Sequence, residues 1–144
     1  INNSSYLNKL KTVKTDSETS ISEFDIERKK SSAAFELSKI CTNSVQREFV
    51  KFILSDKKLF LCVNKETQNL FNKLILSCHD KESANAKIKY LKKALQHENL
   101  IDSSKTLNES ILFCSVNITP ENVEQTILKN LKQKILLKMQ YIMF

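Results

Sequence analysis

The stretch that decides the fold is Lys81–Gln96, which reads KESANAKIKYLKKALQ. Apolar side chains recur every three or four positions, at Ala84, Ile88, Leu91 and Leu95. This spacing puts them on one face of a helix, while Lys89, Lys92 and Lys93 fall on the opposite face. The segment therefore predicts an amphipathic α-helix whose apolar face packs against other helices.

Helix start signals recur along the rest of the chain. N-terminal capping residues predict further helices from Ser22, Ser44, Asp56, Asn64 and Thr119. A weaker helical pattern covers Thr106–Ser115. No segment shows the strict alternation that is typical of a half-buried strand. We therefore predict an all-α protein, a compact bundle of about five to seven helices.

The composition excludes several classes of enzyme. The chain has no Gly, no Trp and one Pro, Pro120. Phosphate-binding loops, dinucleotide fingerprints and tight hairpins need Gly where the backbone turns sharply or a ligand approaches it closely. A helical chain tolerates this absence best, because only its helix C-termini favour Gly and Asn can replace it there.

The length of 144 residues is that of one domain with its own core. Residues 1–20 are polar and lack periodicity, which predicts a mobile N-terminal arm before a single helical domain over residues 21–144. The last segment, LLKMQYIMF (136–144), is apolar nearly all round. We expect it to insert into the core; the alternative is an exposed, adhesive end.

The four cysteines limit the compartment and the kind of site. Cys41, Cys62, Cys78 and Cys114 form no C-x-x-C pair, and neither histidine is spaced with them as a ligand, so we expect no metal site. Two interpretations remain, disulfides or reduced thiols buried in the core. We favour two disulfides, which would staple the bundle and indicate secretion.

Helix geometry restricts the pairing. A helix over Asn64–Leu76 would hold Cys62 and Cys78 about 20 Å apart, too far for a disulfide. If the helices alternate in direction, Cys41 and Cys78 lie at the same end of the bundle. The prediction is then Cys41–Cys78 with Cys62–Cys114, and a break at Asp56 would reverse it.

Glycosylation signals and the first residue add to the secreted interpretation. The triplets that begin at Asn2, Asn3, Asn108 and Asn117 all fit N-x-[ST], with Asn108 and Asn117 inside the helical domain. A chain that starts at Ile1 without Met is typical of a trimmed product. No window reaches the length of a membrane span.

The net charge of +7 predicts an acidic partner or, alternatively, a solvated face that aids solubility. The candidate anionic-partner surface comprises Lys87, Lys89, Lys92 and Lys93 on one helix with Lys129 and Lys132 on another. The partner would be an unknown host protein or a polyanion; nucleic acid is not expected.

The residues do not favour catalysis. In SCHD (77–80) the thiol, imidazole and carboxylate are neighbours in sequence, and adjacent helical residues do not face one another. Other carboxylates fall mainly at helix starts, where capping explains them. We therefore expect a protein that is not an enzyme, needs no cofactor and binds a macromolecule. The alternatives are a carrier of a small apolar ligand in an inter-helix pocket, which eight Phe could line, and a helical cytokine-like signal.

The cysteine spacing also fits an internal repeat of a helix pair. Segments Cys41–Cys78 and Cys78–Cys114 have nearly equal lengths, although chance explains the few shared residues equally well. The order Cys78, Tyr90, Cys114 resembles the Cys–Tyr–Cys motif of the bicycle family, secreted salivary effectors of gall-forming aphids. The unit from Cys41 has Phe52 where that motif has Tyr. The resemblance implies delivery into a host and action by non-catalytic binding of a target.

Overall fold

A computed structural model describes residues 22–96 and 104–133, and every regular element in them is helical. The predicted arm (1–20), His97 and the apolar end (136–144) lie outside the described residues. The helices are α1 Glu23–Ser38, α2 Ser44–Ser55, α3 Lys57–Phe60, α4 Gln68–Leu76, α5 Lys81–Gln96, α6 Ser104–Asn117, α7 Val123–Thr126 and a π-helix Ile127–Lys132. The predicted all-α class is therefore confirmed for this part of the chain.

Helix α5 lies at the centre of the packing. It contacts α2, α6, α7 and the π-helix, while α4 packs against α6 and α1 packs against α2 and α3. The predicted segment coincides with α5 from end to end. Ala84, Leu91 and Leu95 are buried and Ile88 is half-buried, so the predicted apolar face is the one that packs.

Side-chain caps explain where the first helices begin. The Ser22 hydroxyl accepts a hydrogen bond of 3.1 Å from the Asp25 amide, as predicted. The predicted cap at Ser44 is wrong by one residue, because Asn43 Oδ1 accepts the Gln46 amide at 2.9 Å. Asp56 caps the short α3 through the Lys58 amide at 2.8 Å.

At two of the predicted helix starts, the predicted residue caps a turn, and the helix begins only after that turn. Asn64 Oδ1 accepts the Thr67 amide at 3.0 Å, and α4 begins only at Gln68. Thr119 Oγ1 accepts the Asn122 amide at 3.3 Å, and α7 begins after that turn. A capping residue thus predicts the turn correctly but leaves the first helical residue uncertain by a few positions.

The buried apolar residues form one cluster across all these helices. Its largest fully buried side chains are Phe49, Phe71, Leu37, Ile53, Leu59, Leu74, Ile75, Leu91, Leu107, Ile111, Ile118 and Leu131. Burial of one such side chain contributes about 1.5–3 kcal/mol, so hydrophobic packing holds the helices together. Within residues 22–96 and 104–133, no helix has the length and apolar character to cross a membrane.

The two predicted disulfides are not supported. All four cysteines are thiols, and no two of them lie at disulfide distance. Cys41 and Cys78 do follow the ends of α1 and α4, as expected. Their spacing fixes where each thiol lies on its own helix, but it does not fix which helix ends meet. The Cys41–Cys78 and Cys62–Cys114 pairing is therefore wrong for this structure.

Candidate binding surface

Five of the six predicted surface lysines are exposed, on two neighbouring helices. Lys92 and Lys93 project from α5, and Lys129 and Lys132 project from the π-helix, which packs against α5. None of these four takes part in an ion pair among the described residues. We call these four residues the lysine face. Its charges are available to a partner, although they are also suited to solvation.

Lys89 is exposed but is not available in the same way. Its ammonium group donates to the carboxylate of Glu124, which connects α5 to α7. The two side chains are 49% and 69% exposed, so solvent screens the pair. The charge of Lys89 is therefore already compensated.

Lys87 does not belong to the surface, and its prediction as a surface residue is wrong. It is 4% exposed, and its ammonium group donates a hydrogen bond of 2.8 Å to the Ile118 carbonyl oxygen. Its position explains this, because Ala84, Leu91 and Ala94 occupy the same side of α5. The long methylene chain packs among these residues while the charged end reaches a polar atom.

A second basic site was not predicted from the sequence. Ser55, Asp56, Lys57, Lys58, Lys92, Leu95 and Gln96 line a groove of about 470 Å³, which we call the lysine groove. Three of these residues are lysines, and they come from α3 and α5. The sequence signal was the Lys57–Lys58 pair directly after the cap Asp56, but only the packing brings it to Lys92.

Three of the thiols act as donors at helix C-termini. Cys41 donates to the Leu37 carbonyl at 3.5 Å, and Cys62 donates to the Lys58 carbonyl at 3.1 Å. Cys78 likewise donates to the carbonyl four residues earlier, at 3.6 Å. The last carbonyls of a helix lack backbone partners, and a chain without Gly lacks the usual C-terminal motif that satisfies them. The thiols partly fill that role.

Cys78, Cys114 and Tyr90 lie near one another in the core. Burial raises the pKa of Cys78 to about 12, and the Lys87 charge partly offsets this rise. Burial also raises the pKa of Cys114, with the same offset from Lys87 and a further rise from Cys78. The pKa of Tyr90 rises to about 12 through burial and the neighbouring Cys114. These thiols are protonated and weakly nucleophilic near neutral pH.

The Tyr90 ring packs against the ring of Phe113 of α6, and the two ring centroids are 5.8 Å apart. Cys114 Sγ donates to the Lys87 carbonyl at 3.6 Å and so connects α6 to α5. The three residues of the proposed Cys–Tyr–Cys unit thus occupy one buried region as packing groups. The structure brings them together without a disulfide.

The SCHD segment does not assemble a reactive centre. Cys78 is fully buried, whereas His79 is exposed. Asp80 caps α5, and its pKa is lowered because its carboxylate accepts the Ser83 amide at 2.7 Å and also interacts with the Ser83 hydroxyl. In the described residues, no group of three or more His, Cys, Asp or Glu is arranged to hold a metal ion.

The two glycosylation candidates differ in position. Asn117 is exposed at the end of α6, where its carbonyl accepts the Asn122 side-chain amide at 2.7 Å. Asn108 lies inside α6, and its side-chain oxygen is buried without a hydrogen-bond partner. A glycosylated asparagine needs an exposed amide, so of these two only Asn117 is placed to accept a glycan in the folded protein.

A further groove of about 440 Å³ lies between α2 and α5. Its walls are half apolar, with Val45, Phe49, Ala84 and Ile88, and half polar, with Ser44, Glu48, Lys81 and Asn85. This mixture fits an amphipathic small molecule better than a purely apolar one.

Comparison of the chain with protein-family models, with curated proteins and with solved structures finds no match. No relative therefore assigns a role to the lysine face, the lysine groove or the thiols, and their own chemistry has to indicate what they bind.

Proposed function

We propose that this chain is a non-catalytic binding protein that contacts an anionic macromolecule through the lysine face. The observation that carries this proposal is the exposure of four lysines on two packed helices with no acidic partner among the described residues. Charges of one sign on adjacent elements create a field that attracts an oppositely charged surface. The net charge of +7 acts in the same direction.

The thiol chemistry supports a binding role over a catalytic one. A reactive cysteine needs a lowered pKa and access to substrate, whereas burial raises the pKa of Cys78 and Cys114. The proposal extends to a secreted effector that acts on a host target. That extension is supported by the resemblance of residues 41–114 to the bicycle family and by the Asn117 triplet; the predicted disulfides no longer support it.

Retention on a heparin column at physiological salt tests the proposal. The variant in which Lys92, Lys93, Lys129 and Lys132 become Gln should elute at clearly lower salt than the natural protein. The matched control changes Lys29, Lys65, Lys73 and Lys81 to Gln, because all four are exposed and lie outside the lysine face. Both variants lose four charges. Equal elution of the two would show that only net charge matters and would refute a defined face.

A carrier of a small amphipathic ligand is the second candidate function. The groove between α2 and α5 favours it, because the half-buried Val45 and Ile88 offer apolar surface beside the polar Glu48 and Lys81. Native mass spectrometry of the purified protein tests this candidate. A small molecule that stays bound to the natural protein but not to the Ile88→Lys variant would support this candidate. If the protein carries no bound molecule after incubation with lipid mixtures, the candidate is excluded.

A further inference from the structure

The end of α6 combines a glycosylation triplet with an exposed apolar surface. Leu112 and Val116 lie one turn apart on α6 and are 49% and 55% exposed. Leu76 ends α4, which packs against α6, and it is half exposed. This helix pair thus holds three of the six large apolar side chains that are exposed in residues 22–96 and 104–133. Because Asn117 follows Val116 directly, a group attached to Asn117 begins beside this surface.

The Asn117 side chain is placed to carry such a group. It is exposed, and its side-chain amide makes no hydrogen bond to any other described residue. Asn122 closes the turn after α6 instead. Its side-chain nitrogen donates to the Asn117 carbonyl oxygen at 2.7 Å, and its Oδ1 accepts the Thr119 amide at 2.9 Å. Substitution of the Asn117 side-chain amide therefore breaks no contact that holds this turn.

The other residues of the triplet set the order of events. Ile118 is buried, and its carbonyl oxygen accepts the Lys87 ammonium group, whereas Thr119 is exposed. The enzyme that reads such a triplet binds it as extended chain, so the sugar has to be transferred before Ile118 is buried. A sugar on Asn117 stays outside the folded protein. A sugar on Asn108 would prevent α6 from packing, because the Asn108 side-chain oxygen is buried.

We propose that Asn117 carries an N-linked glycan that covers the apolar surface of Leu112 and Val116. The sugar donor is a lipid pyrophosphate oligosaccharide of the secretory pathway. A bond forms between Asn117 Nδ2 and the first sugar carbon as the bond from that carbon to the phosphate oxygen breaks. The lipid pyrophosphate leaves, and the amide nitrogen loses a proton.

The glycan gives the end of α6 a defined property. Because an N-linked glycan is bulky and solubilising, it hides the apolar side chains next to it from other proteins. The inference rests on the secreted extension of the proposed function, since a chain meets this donor only on the secretory route.

Peptide mapping of protein secreted from insect cells tests the site. The full chain is expressed behind a secretion signal and cleaved after glutamates, which places Asn117 in the peptide 110–121, apart from Asn108. We expect a glycan mass on this peptide and an unmodified Asn108. The Asn117→Gln variant should lose that mass completely, and Thr119→Ala, which leaves Asn117 in place, should lose it as well. An unmodified peptide 110–121 from the secreted natural protein would overturn the inference.

Binding of the apolar dye ANS tests the cover. The Asn117→Gln variant should bind more dye than the natural glycoprotein, because Leu112 and Val116 become accessible. Adding Leu112→Gln and Val116→Gln to this variant should abolish the increase. The matched addition of Phe24→Gln and Leu128→Gln, which removes two exposed apolar side chains elsewhere, should leave it in place. Equal dye binding with and without the glycan would overturn the cover.

Heparin retention of the same preparations reports separately on the proposed function. Salt-dependent retention of a protein that carries no glycan at Asn117 would leave the proposed function standing while the inference fails. Loss of that retention in the natural glycoprotein would instead refute the proposed function itself.

Discussion

The ammonium group of Lys87 lies 2.8 Å from the Ile118 carbonyl oxygen, which accepts its hydrogen bond. Both residues are buried, and the contact ties α5 to the segment that follows α6. A buried charge is costly unless it is hydrogen-bonded, so this bond accounts for a lysine in the core. It also separates Lys87 from the lysine face that its sequence neighbours form.

Truncation of Lys87 should destabilise the protein. Lys87→Ala removes packed methylene groups and leaves the Ile118 carbonyl without its donor, for an expected loss of about 2–4 kcal/mol in the free energy of unfolding. Lys87→Met keeps the packing and should cost less. Lys92→Ala, on the exposed side of the same helix, should stay within about 0.5 kcal/mol. Urea unfolding measures all three; a Lys87→Ala value equal to that of Lys92→Ala would place Lys87 at the surface.

The thiols should react in an order set by burial. Cys41 and Cys62 are half-buried, whereas Cys78 and Cys114 are fully buried. In the native protein, iodoacetamide should therefore modify the first pair faster than the second by about tenfold or more. Peptide mapping by mass spectrometry gives the rates. In urea without reductant all four should be modified, and a protein that takes up fewer labels there would contain the disulfides that the structure lacks.

Stability should fall at high pH. Burial raises the pKa of Cys78 and of Tyr90 to about 12, from ordinary values of 9.0 and 10.0. Above pH 9 the unfolded chain therefore binds fewer protons than the folded protein, and folding becomes less favourable. The stabilisation is fully present below pH 9 and is lost as the pH rises through about 12. Each group steepens the fall by up to about 1.4 kcal/mol per pH unit.

Urea midpoints measured between pH 8 and about 11 check this slope. The variant Cys78→Ala with Tyr90→Phe removes both titrating groups but keeps the ring that packs on Phe113. Its midpoint should depend on pH less steeply than that of the natural protein. Parallel curves for the two proteins would show that these groups ionise equally in the folded and unfolded states.

The ion pair between Lys89 and Glu124 should contribute little. Both side chains are largely exposed, and such pairs couple by about 0.2–1 kcal/mol. A double-mutant cycle with Lys89→Ala and Glu124→Ala measures this coupling, which should decrease as salt is added. The ion pair between Lys51 and Glu48 is exposed and lies within one helix, α2, so its coupling energy is the value for comparison. A salt-independent coupling above about 2 kcal/mol would indicate a buried contact instead.

The sequence predicts the helices well because their periodicity is local. The whole of α5, the cap at Ser22 and the cap at Asp56 follow from residues within one or two turns. Lys87 was predicted as exposed because its charge outweighed its position, although its spacing from Ala84 and Leu91 indicated the buried side. For Lys87 the residue type predicted exposure and the helical position predicted burial, and burial is what the structure has.

Relations between helices could not be predicted in the same way. The disulfide pairing failed because the direction and contacts of α1, α3 and α4 depend on packing that spacing does not determine. The lysine groove was missed for the same reason, since α3 meets α5 only in the folded chain. What the sequence did contain was the position of Cys41, Cys62 and Cys78 after helix ends, together with four exposed lysines.

The central claim is that the lysine face binds an anionic macromolecule, and chemical-shift mapping tests it most directly. Uniformly ¹⁵N-labelled protein would be titrated with heparin at low and at physiological salt. We predict that amide shifts concentrate at Lys92, Lys93, Lys129, Lys132 and their neighbours, and that they shrink as salt screens the charges. Shifts centred on α1, or spread evenly over the exposed lysines, would contradict the claim.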